Sequence, residues 1–306
     1  MTYDLIIIGA GTAGMTAGIY AGRFRLHTLI LEKICAGGQI ITSPSIENFP
    51  GFPGGIATQE LVDRLKKQVD DLDVAIKMEE VYEIIADSGD KYKVKTDAQT
   101  YEAKVVIIAS GAQPKRLFVD GEDRLIGRGV SYCATCDAPL FRDKQVVVVG
   151  GGDKAIEEAV FLADYAEKVT VIHRRQELRA SKILEEKAGT NPKINFLLDT
   201  IVQEVLGDNR VEAVKIRNIK TGQVSVFSCQ GIFIFVGIKP NTDFVKNLLN
   251  INNAGFIITD QFLNTSRAGI FACGDCVEKS LYQVITGCSD GAVAADSAHK
   301  YLLRAC

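Results

Sequence analysis

The chain writes one structural unit twice. Leu5 to Gly9 is an apolar run that ends in Gly9-Ala10-Gly11-Thr12-Ala13-Gly14, followed by a small-residue stretch through about Gly22 and a second apolar run, His27 to Leu31, that ends at Glu32. Gln145 to Val149 repeats the plan, ending in Gly150-Gly151-Gly152-Asp153-Lys154-Ala155, then a helical stretch to about Ala166 and an apolar run, Lys168 to Ile172, that ends at His173-Arg174-Arg175. Each copy reads as strand, tight glycine turn, helix and parallel strand. The sequels match as well. Strand-like runs at Val81–Ala86, Tyr92–Thr96 and Val105–Ala109 follow the first copy, broken at Asp87-Ser88-Gly89-Asp90. Runs at Val202–Leu206, Val211–Asn218 and Val224–Val236 follow the second. Each half closes on an apolar strand ending in glycine, Val105–Gly111 and Ile232–Gly237.

This pattern predicts an α/β chain of two Rossmann-like three-layer domains, the second inserted into the first. The first domain is expected over residues 1–113 and 244–306, the second over 114–243, with crossovers at Pro114 and Pro240-Asn241. A chain of 306 residues with 47% hydrophobic content can bury two cores. Its net charge of −3 gives no sign of a nucleic-acid partner or an anionic membrane surface. No apolar run approaches the roughly 20 residues of a membrane helix. The opening strand, Tyr3 to Ile8, carries no basic region or cleavage site, so no secretory signal is expected. Eight cysteines are too sparse for a disulfide scaffold, which points to the cytoplasm and to redox or metal chemistry for any close pair.

A lone glycine fingerprint is weak. Here each follows an apolar strand, opens a helix and leads to a polar residue at the next strand tip, which is the context for dinucleotide binding. The glycines permit the turn and the approach of a pyrophosphate to the backbone, and the helix N-terminus faces the phosphates. The copies differ at the strand tip. Glu32 can accept hydrogen bonds from ribose hydroxyls and would repel a 2′-phosphate. His173, Arg174 and Arg175, with Arg179 a turn on, place cations where that phosphate would sit, so the second site is expected to prefer NADPH. The plainer alternative is a solvated basic helix start. A flavin signature lies near the C-terminus: Gly269–Cys273 reads as a strand ending in Gly274-Asp275, where Asp275 would bond the ribityl chain. The helix expected from Gln283 to about Leu302 would aim its positive end at the isoalloxazine. Gly37-Gly38-Gln39 and Glu47-Asn48 could line the same cofactor.

Cys133-Ala134-Thr135-Cys136 can cycle between dithiol and disulfide. One sulfur would attack an outside disulfide and the other resolve the mixed disulfide. Asp137 could shuttle the proton, or it could cap the helix that Ala138-Pro139 begins. A second pair, Cys273-Gly274-Asp275-Cys276, raises a four-cysteine zinc site, but the separation of the pairs is far from ribbon spacing and no metal is expected. Cys35, Cys229 and Cys288 read as small core residues, and Cys306 as a terminal thiol.

Taken together, Gly9–Gly14, Gly38-Gln39, Glu47–Gly51, Ser110-Gly111-Ala112, Ser131–Asp137, Gly150–Ala155, Glu157-Glu158-Ala159, His173–Ala180, Gly237–Asn241 and Gly274-Asp275 resemble low-molecular-weight thioredoxin reductases along essentially the whole chain. The resemblance implies a homodimeric FAD enzyme that carries electrons from NADPH to a Cys133–Cys136 disulfide and on to thioredoxin. It implies that Cys136 lies nearest the flavin, that Cys133 attacks thioredoxin and that Asp137 is the acid. It implies FAD contacts from Gly9, Gly11, Thr12, Ala13, Gly14, Glu32, Lys33, Gly38, Gln39, Asn48, Val81, Ala109, Ser110, Gly111, Gly274, Asp275, Gln283 and Val284. For NADPH it implies Gly150, Gly151, Gly152, Asp153, Lys154, Ala155, Glu157, His173, Arg174, Arg175, Arg179 and Gly237. The chain departs from the family pattern at Ala138, Lys154 and Tyr282, where glycine, Ser or Thr, and arginine are usual. The last two motivate an alternative, a related flavin disulfide reductase fed by a deazaflavin or ferredoxin or serving another thiol protein. Tyr282 is expected to lie near the flavin.

Overall fold

The structure, a computed structural model, describes residues 2–42, 45–46, 48–86 and 91–305, with the side chains of residues 42, 135, 136 and 305 outside the description. The chain divides into two compact units: Met1–Gln113 with Lys239–Cys306, and Pro114–Ile238.

In the first unit the sheet runs Ala75–Met78, Thr28–Glu32, Thr2–Ile8, Thr100–Ile108, then Tyr92–Thr96 and Val81–Ala86. The strand Thr100–Ile108 changes neighbour along its length. Its first half pairs antiparallel with Tyr92–Lys95, and its last residues pair parallel with Ile270–Ala272. Strands buried on both faces read as unbroken apolar runs, and side chains alternate between faces. Leu5 and Ile7 accordingly join one core, with the helices Thr12–Arg23, Thr58–Asp70 and Val284–Ala305. Ile6 and Ile8 join the other, with Val94, Val245 and Ile257. All four are fully or nearly fully buried, each contributing about 2 kcal/mol relative to exposure.

In the second unit an all-parallel sheet runs Val130–Ser131, Gly231–Phe235, Gln145–Gly150, Lys168–Ile172, Ile194–Leu197. The helix Asp153–Ala163 covers one face through Ile156, Ala159 and Leu162. An antiparallel meander, Thr200–Leu206, Ala213–Asn218 and Val224–Ser228, covers the other through Val202, Val214 and Ile216. The run Val224–Val236, read from sequence as one strand, is therefore two strands in two different sheets. Ser228-Cys229-Gln230 is the break, and the Gln230 side chain accepts the Gln145 N–H there. The turn expected at residues 87–90 lies outside the described residues.

Candidate redox and nucleotide sites

Cys133 follows the short strand Val130–Ser131 and precedes the four-residue helix Ala134–Asp137. It is in its disulfide-bonded form; the Cys136 side chain lies outside the described residues. The Ser131 hydroxyl accepts the Cys133 N–H at 3.0 Å and donates to the Cys133 carbonyl at 3.1 Å, and the Asp137 N–H reaches the same carbonyl at 3.3 Å. Ala134 and Ala138 anchor the segment in the core beside Phe141. The Asp137 side chain makes no capping bond to the turn Ala138–Phe141, so the capping alternative is not what this residue does.

The second pair has no such arrangement. Cys273 and Cys276 are free and fully buried, on opposite faces of the first unit's sheet. The Cys276 thiol donates to the carbonyls of Cys273 at 3.1 Å and Ile108 at 3.5 Å, and burial pushes it up to about 11. Of the other cysteines Cys229 is fully buried, its thiol pushed by burial up to about 12, and Cys288 is half-buried against the first unit's core, whereas Cys35 is only half-buried and joins neither core of that unit, a correction to its reading as a core residue. Cys306 is outside the described residues.

The first glycine turn draws several distant segments together. Gly9 has φ 106°, and a Cβ on it would lie 2.3 Å from the Ala109 carbonyl oxygen. Gly11 bridges to Gly37, which donates its N–H to Ala10, and a Cβ on Gly38 would stand 3.2 Å from Gly11. A Cβ on Gly274 would meet Ala13 at 2.8 Å, and one on Gly287 would meet the Thr12 hydroxyl at 3.0 Å. Gly9 to Gly14, Gly38, Gly274 and the start of the last helix, Val284, thus converge. The Asn48 amide donates to Gln283 at 3.0 Å. Ser110 and Gly111 are tied to Asn241, the Ser110 hydroxyl donating to its carbonyl at 2.7 Å. Glu32 accepts the Ala10 N–H at 2.7 Å and the Ile34 N–H at 3.0 Å. Lys33 pairs on the surface with Glu80, and Val81, next in sequence, opens the strand Val81–Ala86.

A dinucleotide fits this turn. The helix Thr12–Arg23 starts at Gly11 with no side-chain cap, no acid in its first turn, and open space where a Gly11 side chain would stand. Its first N–H groups are a ready anion site. Asp275 is half-buried, its carboxyl raised above the usual range by burial, against the opposing pull of Lys279. A hydroxyl donor would relieve that desolvation. Two residues not singled out from sequence hold this corner: Asp290 accepts the Gly274 N–H at 3.1 Å and pairs with Lys279. Tyr282 packs on Phe256 and on the Lys279 ammonium.

The second turn is built differently. The helix Asp153–Ala163 starts at Gly152, again uncapped and with open space at the glycine. Asp153 stands in its first turn, but its carboxylate is taken by the Ser181 N–H at 2.6 Å, and the Arg179 N–H reaches the Gly151 carbonyl at 2.6 Å. The Lys154 ammonium pairs with buried Glu158 instead of standing free, and Glu157 is exposed. His173 is 5% exposed, its ring under Gly151, and burial holds it below the ordinary histidine value. The expected cation at His173 is therefore corrected to a neutral packing ring. The exposed cations are Arg174, Arg175 and Arg179, the last two lining a groove of about 320 Å³ with Gln176, Glu177 and Leu178. Gly237 accepts the Lys115 N–H at 2.9 Å after the last parallel strand. Among the described residues no helix is long and apolar enough to cross a membrane.

Residues 3–292 match the model of the pyridine nucleotide-disulphide oxidoreductases. The chain is 42% identical over 306 residues to the thioredoxin reductase of Peptoclostridium acidaminophilum, covering 98% of this chain and 97% of that one. It is 43% identical over 302 residues to the thioredoxin reductase of Bacillus subtilis, covering 98% and 95%. The crystal structure of Lactococcus lactis thioredoxin reductase in its FR conformation superposes with a TM-score of 0.96 at 41% identity, covering 99% of both chains.

Proposed function

Because the chain belongs to the pyridine nucleotide-disulphide oxidoreductase family, we propose that its thioredoxin-reducing activity runs through Cys133 and Cys136. The reaction is reduction of the thioredoxin disulfide, with FAD and NADPH as cofactors. The observation that carries the assignment is Cys133 itself. It is disulfide-bonded at a strand end, with its main chain held on both sides, while the other cysteine pair is sealed apart in two cores.

In this reading the unit built on Gly9–Gly14 carries FAD, with Asp275 and Glu32 bonding its hydroxyls. The unit Pro114–Ile238 carries NADPH, with the N–H groups behind Gly152 on the pyrophosphate and Arg174, Arg175 and Arg179 on the 2′-phosphate. Bound to the first unit, FAD would supply the two-electron chemistry that links NADPH to the Cys133–Cys136 disulfide. The Cys133 thiolate then attacks one sulfur of the thioredoxin disulfide, forming a mixed disulfide and releasing a thiolate that takes a proton from Asp137. Cys136 attacks the Cys133 sulfur, re-forming the internal disulfide, and its thiol proton passes to the departing second sulfur, freeing thioredoxin as the dithiol. The working form is a homodimer in the cytoplasm.

Anaerobic titration of the yellow holoenzyme with NADPH tests the assignment. NADPH should bleach the flavin in wild type and in Cys133→Ser, and only wild type should then reduce thioredoxin. Full thioredoxin turnover by Cys133→Ser would overturn the roles given to the cysteines.

A further inference from the structure

The second unit holds a buried carboxyl group that the chemistry above does not use. Glu122 is 1% exposed. One of its oxygens accepts the Leu117 N–H at 2.9 Å and the Tyr132 phenol; the other accepts the N–H groups of Phe118 at 2.6 Å and Val119 at 3.3 Å. Three successive N–H groups converge because Phe118 stands at φ 57°, a left-handed conformation that makes the backbone concave toward an anion. That conformation is strained for a bulky residue, and the Phe118 ring, 86% exposed, gains nothing from burial in return. The loop is held by the carboxyl group.

The same carboxyl group reaches Tyr132, the residue before Cys133. Burial first, and Glu122 next, push the Tyr132 phenol well above its ordinary value, so it remains an O–H donor at working pH. Ser131 already fixes the N–H and the carbonyl of Cys133. Through its phenol, Tyr132 ties the residue before Cys133 to the loop that Glu122 gathers.

We propose that Glu122 is a positioning residue for thiol exchange, acting through Tyr132 to hold Cys133 where its sulfur meets the incoming disulfide. The proposal rests on Cys133 being the exchanging sulfur. It separates the two half-reactions: NADPH binds in the same unit, so general damage to that unit would slow both, whereas loss of the tether slows only the thiol step.

The test is rapid mixing and steady-state turnover of the Tyr132→Phe holoenzyme. Flavin bleaching by NADPH should stay within about twofold of wild type. Thioredoxin kcat should fall about tenfold, the scale of one buried hydrogen bond, with KM nearly unchanged. Glu122→Gln should fall at least as far, and the double variant no further than Glu122→Gln alone, because the two act in series. If Glu122→Gln does not fold, Tyr132→Phe decides by itself. Wild-type thioredoxin turnover in Tyr132→Phe, or equal losses in both half-reactions, overturns the proposal. If Cys133→Ser is inactive, normal turnover in Tyr132→Phe sinks this proposal alone; an active Cys133→Ser sinks the cysteine assignment and the proposal with it.

Discussion

Ala10 and Gly151 hold the same place in the two glycine turns and meet opposite neighbours. Ala10 keeps its side chain because the strand-tip residue opposite, Glu32, reaches the backbone and accepts the Ala10 N–H at 2.7 Å. Gly151 has none because the strand-tip residue opposite, His173, fills the space; a Cβ there would lie 2.3 Å from the imidazole Nδ1. The sixth position is exchanged in the same way. A Cβ on Gly14 would lie 1.8 Å from the Gly9 carbonyl oxygen, whereas Ala155 carries a methyl group at the equivalent place. Both turns still present an extended glycine, Gly11 or Gly152, at the mouth of an uncapped helix. What the two share is an open, uncapped helix start behind an extended glycine; how each fills the space behind that backbone sets which residue is tolerated where.

The sharpest break in the comparison is at the sixth position. Gly14→Ala forces a methyl group into backbone, which no rotamer change can relieve. We expect a loss of about 3 kcal/mol or more in urea unfolding and loss of bound flavin absorbance. The reciprocal change, Ala155→Gly, should cost only about 1 kcal/mol of helix propensity and core filling. Similar losses from the two substitutions would show that the turns are packed alike.

The strand tips differ next. Arg174→Ala with Arg175→Ala should raise KM for NADPH by about 10- to 100-fold, the worth of one or two charge-assisted bonds, and leave KM for NADH nearly unchanged. Flavin content should not change, because Glu32 serves the other turn. A parallel rise for NADH would mean that the arginines hold the fold of the turn and not the 2′-phosphate.

The duplication was legible because strands buried on both faces give apolar runs, and glycine spacing marks where they turn. The second crossings are less legible: the helix Thr58–Asp70 with the strand Ala75–Met78, and the helix Lys182–Gly189 with Ile194–Leu197. The first of these had a signal. Leu61, Val62, Leu65 and Val69 recur at helical spacing, and all are buried. Val224–Val236 reads as one run although its halves differ in kind: exposed residues of an edge strand in Val224–Ser228, continuous burial in Gly231–Ile234. The cysteine pair and the arginines stand out locally, by spacing and charge. Asp290, Lys279 and Glu122 do not, because their partners Gly274, Asp290 and Tyr132 lie 10 to 16 residues away and only the fold brings them into contact. His173 is opaque in sequence for the same reason: its charge state is set by burial under Gly151, which no neighbour in sequence announces.

The smallest expected effect separates the turns by pH. Burial lowers the proton affinity of His173 below the ordinary value of 6.5. The unfolded chain therefore binds this proton more readily than the folded one. Stability from the neutral ring is complete above about pH 6.5 and declines as pH falls below it, because protonation would set a cation under Gly151 with Arg179 and Arg175 nearby. Amide-exchange protection in Lys168–Ile172 should drop between about pH 7 and 5.5 relative to Thr28–Glu32, its counterpart behind the first turn. His173→Phe keeps a ring against the turn but has no proton to gain, so it should flatten that drop. Protection that falls in parallel in both strands, or a drop that persists in His173→Phe, would leave the acid sensitivity with other groups and remove the histidine from the comparison.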